Sequence, residues 1–289
     1  MVSAAERPTW SDTPVVDSPL PEEPEDPEQD PEPAPEVDAY VKVNNQAELV
    51  AAIAATQPGE TLYVRLTNDI VVKSTIVVNR KVTLDLNGHN LVNNKALWEK
   101  GSKRNWSLLS VRDGGKLTIN GNGTLQTRPD DCYAIDLQAE NARLIINGGT
   151  YIGNTRAIYI QAGSCTINGG YFKVQQTAEG EQAYDYVLDC ADENFAVAVV
   201  DGKNNQIGTA RLWVYGGQFE NYNPADSHAE KEDMNFAMGD FKITQIIYEV
   251  AQEDETTLLQ VIENPTDAEI QEIKDKAYPL VKIVYQINA

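Results

Sequence analysis

Leu144-Ile145-Ile146-Asn147-Gly148-Gly149 and Cys165-Thr166-Ile167-Asn168-Gly169-Gly170 are two copies of one word. The first and third residues of each copy are apolar while the second varies. That is the alternation of a strand with one buried face. The Asn and Gly that follow suit a corner, where the chain turns and can require a positive φ. Further copies are Leu84-Asp85-Leu86-Asn87-Gly88, Leu117-Thr118-Ile119-Asn120-Gly121 and Leu212-Trp213-Val214-Tyr215-Gly216-Gly217. An aromatic comes next in three of them, at Tyr151, Tyr171-Phe172 and Phe219.

A second ladder precedes each copy: Ile76-Val77-Val78, Leu109-Ser110-Val111, Ile135-Asp136-Leu137, Ile158-Tyr159-Ile160 and Leu188-Asp189-Cys190. Two ladders in the same order, repeated, indicate stacked coils. A leucine-rich solenoid would place a helical turn in each repeat, and no 3.6-residue period separates these strands. A β-sandwich would show hairpin turns between neighbouring strands. The expected fold is mostly β: a single-stranded right-handed parallel β-helix of about five coils over residues 61–240.

Residues 39–60 form an expected N-terminal cap. They hold a short helix over 45–56, with Asn45 able to cap, Leu49 and Ile53 one turn apart, and Pro58-Gly59 as the stop. Residues 241–289 read as strands over 242–262, a helix over 267–277 capped by Thr266 or Asp267, and a strand over 280–287. This is a small β-α-β unit that caps the far end or stands as a terminal domain. Insertions interrupt the coil at 92–107 and 191–210.

The chain of 289 residues carries a formal charge of −21. Such a charge is repelled by phosphate surfaces, which argues against nucleic acid and anionic membranes as partners. Residues 17–38 contain ten carboxylates, no Lys or Arg, and half of the prolines. Proline removes amide donors and like charges repel, so this Pro/Glu-rich linker is expected to stay extended. At about 3.1 Å per residue, ~18 residues reach roughly 55 Å. Beyond it, residues 1–16 carry Arg7, Trp10, Val15 and Val16, a candidate anchoring peptide. The first residues hold no apolar signal core, so a secretory leader is not expected.

Three cysteines, Cys132, Cys165 and Cys190, give neither metal-ligand spacing nor a disulfide framework. Cys165 stands where other copies put Leu, which suggests a buried free thiol. With only His89 and His228 besides, no metal or other cofactor is expected.

Polysaccharide cleavage would need paired carboxylates. The candidates are Asp130, Asp131 and Asp136, with Asp85 and Asp189 elsewhere. Gly88-His89-Asn90 lacks the G-H-G motif of pectin hydrolases, and no Arg-Ile-Lys occurs. Asp130-Asp131 follows Arg128-Pro129 in a turn, where aspartate has backbone uses. A lyase would need an acid cluster beside a base, and Arg156 has none in sequence. Asp136, Tyr159 and Asp189 are expected on the outer face of the second ladder, as plain surface or a sugar contact. The insertion at 92–107 carries Trp98, Lys100, Lys103, Arg104 and Trp106 against a single acid, Glu99. It is either a docking loop or a lid packed over the coil.

The words Ile146-Asn147-Gly148-Gly149-Thr150-Tyr151 and Val214-Tyr215-Gly216-Gly217-Gln218-Phe219-Glu220-Asn221-Tyr222-Asn223-Pro224-Ala225-Asp226, with Asn235-Phe236-Ala237, resemble pectate-lyase-like β-helix proteins of gut bacteriophages. The resemblance spans about residues 61–245. It implies a virion surface protein without identified chemistry: a head fibre or capsid decoration, held to capsid or other virion proteins by its N-terminal arm. The chain is expected to be a homo-oligomer. The alternatives are a tail protein that grips host surface glycans, and a polysaccharide lyase or hydrolase.

Overall fold

The computed structural model describes residues 40–98, 105–129, 131–175, 187–189, 199–200, 203–204, 210–224, 243–251, 257–275 and 280–287. All belong to the unit Val37–Ala289. Strand β1 (Val41–Val43) leads into helix α1 (Gln46–Ala55). The Asn45 side chain accepts a hydrogen bond from the Glu48 amide at 3.0 Å, and the Glu48 carboxylate accepts from the Asn44 amide at 2.9 Å. The first bond satisfies an amide that the first helical turn leaves open, and the second ties the residue before the cap to the same turn. Leu49 and Ile53 enter the same apolar core as the strands.

The chain then runs in triplets of strands. The first is β2 (Thr61–Leu66), β3 (Ile70–Val71) and β4 (Ile76–Val78). The second is β5 (Lys81–Asp85), β6 (Asn90–Val92) and β7 (Ser107–Val111). Next come β8 (Lys116–Asn120), β9 (Thr124–Gln126) and β10 (Tyr133–Leu137). They are followed by β11 (Arg143–Ile146), β12 (Thr150–Gly153) and β13 (Ile158–Ile160). The fifth triplet is β14 (Ser164–Ile167), β15 (Tyr171–Val174) and β16 (Leu188–Asp189). A two-strand hairpin, β17 (Val199–Val200) and β18 (Lys203–Asn204), falls within the second insertion. The path resumes with β19 (Arg211–Val214) and β20 (Gly217–Glu220).

The first members of the triplets, with β1 and β19, form one sheet. The second members and β20 form another, and the third members form a third. Neighbours within these sets pair in parallel. The molecule is therefore mostly β with parallel sheets visited in constant order, an arrangement compatible with a parallel β-helix.

Inward residues form rows. Val64, Leu84, Ile119, Ile146, Ile167 and Val214 share one row of the first sheet and all are buried. Burial of each such side chain is worth about 1.5–3 kcal/mol. In the second sheet Tyr151, Phe172 and Phe219 stack with centroids 4.9 and 5.1 Å apart and planes within 10° and 11°. All three rings are fully buried. At the corner, Asn168 donates to Asn147 at 2.8 Å and Asn147 donates to Asn120 at 2.7 Å, so one amide row spans three turns. Gly170 follows with φ 113°, and a Cβ there would lie 3.1 Å from the Gly149 carbonyl.

The register corrects one expectation. Leu84 pairs with Ile119, and Asp85 with Asn120, so the first copy of the word is Val82-Thr83-Leu84-Asp85. Reading Leu84 against Leu117 is a slip of two residues. Such a slip leaves every side chain on its face, so the apolar alternation cannot reveal it. Asp85 takes the ladder position of asparagine, accepts from the Asn87 amide at 2.9 Å and pairs with Arg65 at 2.7 Å.

The C-terminal unit also differs in kind. Strands β21 (Ile243–Ala251) and β22 (Thr257–Glu263) form an antiparallel pair before helix α2 (Asp267–Asp275) and strand β23 (Leu280–Ile287). The order in the sheet is β22-β21-β23-β20, all antiparallel, rather than the crossover of a β-α-β unit. Strand β23 lies on the last strand of the second sheet, with Phe219 opposite Tyr285. Thr266 caps α2 through the Glu269 amide at 3.3 Å. Ile246, Tyr248, Ile273 and Tyr285 form a separate small core beneath it.

Candidate functional site

Two tryptophans of the first insertion come together over the third sheet. Trp98 stacks on Trp106, with centroids 5.8 Å apart, and meets Tyr133 edge-on at 5.4 Å. Tyr133 in turn meets Tyr159 at 5.1 Å. The Arg156 guanidinium lies 4.8 Å from the Tyr159 ring and 5.3 Å from that of Tyr133. These aromatics cover the outer face of the third sheet. Tyr159 is only 2% exposed and Asp136 is fully buried, so neither is plain surface as the alternation suggested. Alternation tells which side of a strand a residue takes, but not whether an insertion returns to cover it. Trp98 keeps 38% of its surface exposed and is the open face of the cluster.

Asp131 holds the insertion in place. Its carboxylate accepts from the Leu97 amide at 2.9 Å, the Trp98 amide at 3.0 Å and the Asn93 side chain. Asn93 is itself fixed, donating to the Lys95 carbonyl at 2.8 Å and accepting from the Arg128 amide at 2.8 Å. This buried carboxylate does the work of a turn of backbone acceptors. The sequence signal was Asp after Arg128-Pro129, and its use of backbone amides was the expected one.

Asp136 lies deeper, opposite Tyr159 in the ladder. Gln138 donates to it at 2.5 Å, and Ser107 Oγ lies 2.8 Å from the other oxygen. Ser107 Oγ is also 2.7 Å from the Leu109 carbonyl. One hydroxyl proton cannot serve both acceptors. Ser107 therefore donates to Asp136 or to the Leu109 carbonyl, one at a time. Burial pushes the Asp136 pKa up, against hydrogen bonds from Gln138, Ser110 and Ser107 and the charge of Arg112. Burial likewise pushes the neighbouring Cys132 thiol up, helped by the Asp131 and Asp136 charges. Cys132 and Cys165 are buried free thiols, and Cys190 lies outside the described residues.

A raised native pKa means that the folded chain keeps its Asp136 proton after the unfolded chain has lost its own. Stability therefore falls as pH rises from the unfolded value near 4 through the native value. Asp136→Asn should remove that component. Its amide does not titrate and keeps one acceptor oxygen for Ser107. The stability of wild type relative to this variant should be greatest below about pH 4 and decline above it, as read from thermal melts across pH. A pH-independent difference would refute the assignment.

Asp85 is occupied with Arg65 and the Asn87 amide. His89 rests 3.5 Å from Asp69 in its turn, one-third exposed. Asp130, His228, Lys100, Lys103, Arg104, and the anchor residues Arg7, Trp10, Val15 and Val16 lie outside the described residues, as does the Asp189 side chain. A second feature had no signal in the sequence beyond its glycines. A shallow groove of about 400 Å³ runs along the corner, floored by Gly148, Gly149, Gly169 and Gly170 and flanked by Asn168 and Gln218.

No protein-family model, curated protein or solved structure matches this chain.

With Asp131 bound to backbone amides and Asp136 shut from solvent, neither carboxylate can meet a glycosidic oxygen in this conformation. The cluster offers a half-open indole face on a rigid support.

Proposed function

We propose that this chain is a non-enzymatic virion structural protein of a bacteriophage, a head fibre or capsid decoration. In this reading the triplets are about five coils of a single-stranded right-handed β-helix. Residues 1–16 anchor the protein, the Pro/Glu-rich linker holds it off the particle, and the coil is displayed. The observation that carries the reading is the constant order in which the strands return to three parallel sheets. Such an order makes a rod whose length grows with every pass. The resemblance of Val214–Asp226 to phage β-helix proteins and the structural engagement of Asp131 support it.

Deleting residues 1–16 should leave a chain with unchanged circular dichroism that no longer joins particles assembled in its presence. Normal incorporation of the truncated chain would overturn the anchor. A glycan-gripping role is the second reading, favoured by the exposed face of Trp98 stacked on Trp106. A glycan array probed with wild type and Trp98→Ala separates the two. Binding that disappears in the variant favours the second.

A further inference from the structure

Strand β22 is the outer edge of the nine-stranded sheet among the described residues. It makes seven consecutive pairs with β21 and no bulge interrupts them. Its sequence, Thr257-Leu258-Leu259-Gln260-Val261-Ile262-Glu263, has no Lys and no Pro, and one charge at its end. Edge strands of monomers are ordinarily guarded by those features, because unpaired amides and carbonyls invite another strand. One face of β22 is accounted for, since Ile262 packs on the core beneath α2. The other carries Leu259 at 59% and Val261 at 50% exposure, the two most exposed large apolar side chains among the described residues.

We infer that β22 pairs antiparallel with β22 of a second copy about a twofold axis at Gln260. The sequence is self-complementary in that register. Leu259 of each copy falls beside Val261 of the other, Thr257 beside Glu263, and Gln260 beside itself, so no like charges face each other. An isologous contact of this kind closes as a dimer and does not propagate. The exposed apolar pair of each copy is then covered by its counterpart, on the face away from α2. Because each chain carries −21, added salt favours the pairing by screening the repulsion. The inference is independent of what surface displays the chain.

The test is a register-specific cross-link in the full chain. Residues opposed in an antiparallel pair have Cα atoms about 4.5–5.5 Å apart, within disulfide reach. Gln260→Cys should oxidise to a covalent dimer in most of the chain. Val261→Cys should not, because residue 261 faces residue 259 in the other copy. Sedimentation of wild type should show a dimer that grows with concentration and with salt. In Leu259→Lys/Val261→Lys that dimer should be lost, with the melting curve retained. Equal cross-linking at 260 and 261, a wild type monomeric at every concentration, or an undiminished dimer in the double variant would each overturn the proposal.

Discussion

Phe172→Ala is expected to lower stability by about 3–5 kcal/mol. Phe172 is the middle ring of the stack, with Tyr151 on one side and Phe219 on the other, and has no exposed surface. Its removal strips one face from each neighbour in addition to losing its own transfer energy. The parallel strands on both sides hold their registers, so the cavity has little means of collapsing. Urea unfolding should show a lower midpoint with an unchanged slope. Phe172→Leu, which refills much of the space, should recover most of the loss. A cost below about 1 kcal/mol for the alanine variant would mean that the stack is not the support described.

Asp131→Ala is the second large effect. Three donors lose a charged, buried acceptor at once, and a cost on the order of 3–5 kcal/mol follows from unsatisfied groups of that kind. The expected signature is specific to the site. Tryptophan emission should shift to the red as Trp98 and Trp106 leave the third sheet, while the far-ultraviolet spectrum of the strands stays. Asp131→Asn should be nearly as damaging. Its amide nitrogen would face the Asn93 amide, whose orientation is set by the Lys95 carbonyl and the Arg128 amide. A fully stable Asp131→Asn with native emission would remove Asp131 as the clamp of the insertion.

Much of the scaffold was legible because it is written in repeats. The Ile76, Leu109, Ile135, Ile158 and Leu188 ladder pairs in the register that its spelling suggested. The amphipathic spacing of Leu49 and Ile53 likewise gave α1 and its buried face. The second sheet was harder, because β3, β6 and β9 are two or three residues long and bury one side chain each: Ile70, Leu91 and Leu125. One apolar residue cannot display a period. Only where the strand carries a ring, at Tyr151, Phe172 and Phe219, did it stand out. The two-residue slip at Leu84 had the same origin, since alternation is blind to even shifts.

The site was less legible than the scaffold. Trp98 and Trp106 were singled out by type, and they do meet. Their meeting with Tyr133, Tyr159 and Arg156 depends on a long return of the chain that no local pattern records. The burial of Asp136 escapes the local pattern for the same reason. Its neighbours Ile135 and Leu137 point inward, so it points outward, and only the folded insertion makes that outside an inside.

The constant register between passes also bears on how such a chain changes over generations. Each triplet presents to the next the same rows it received from the last, with an inward aliphatic row in the first sheet and a ring or leucine in the second. A duplicated or deleted triplet would meet neighbours already shaped to accept it. The helix α1 at one end and the antiparallel strand β23 at the other would be unaffected. The length of the stacked sheets can thus change in whole triplets, one gene segment at a time, without redesigning either end.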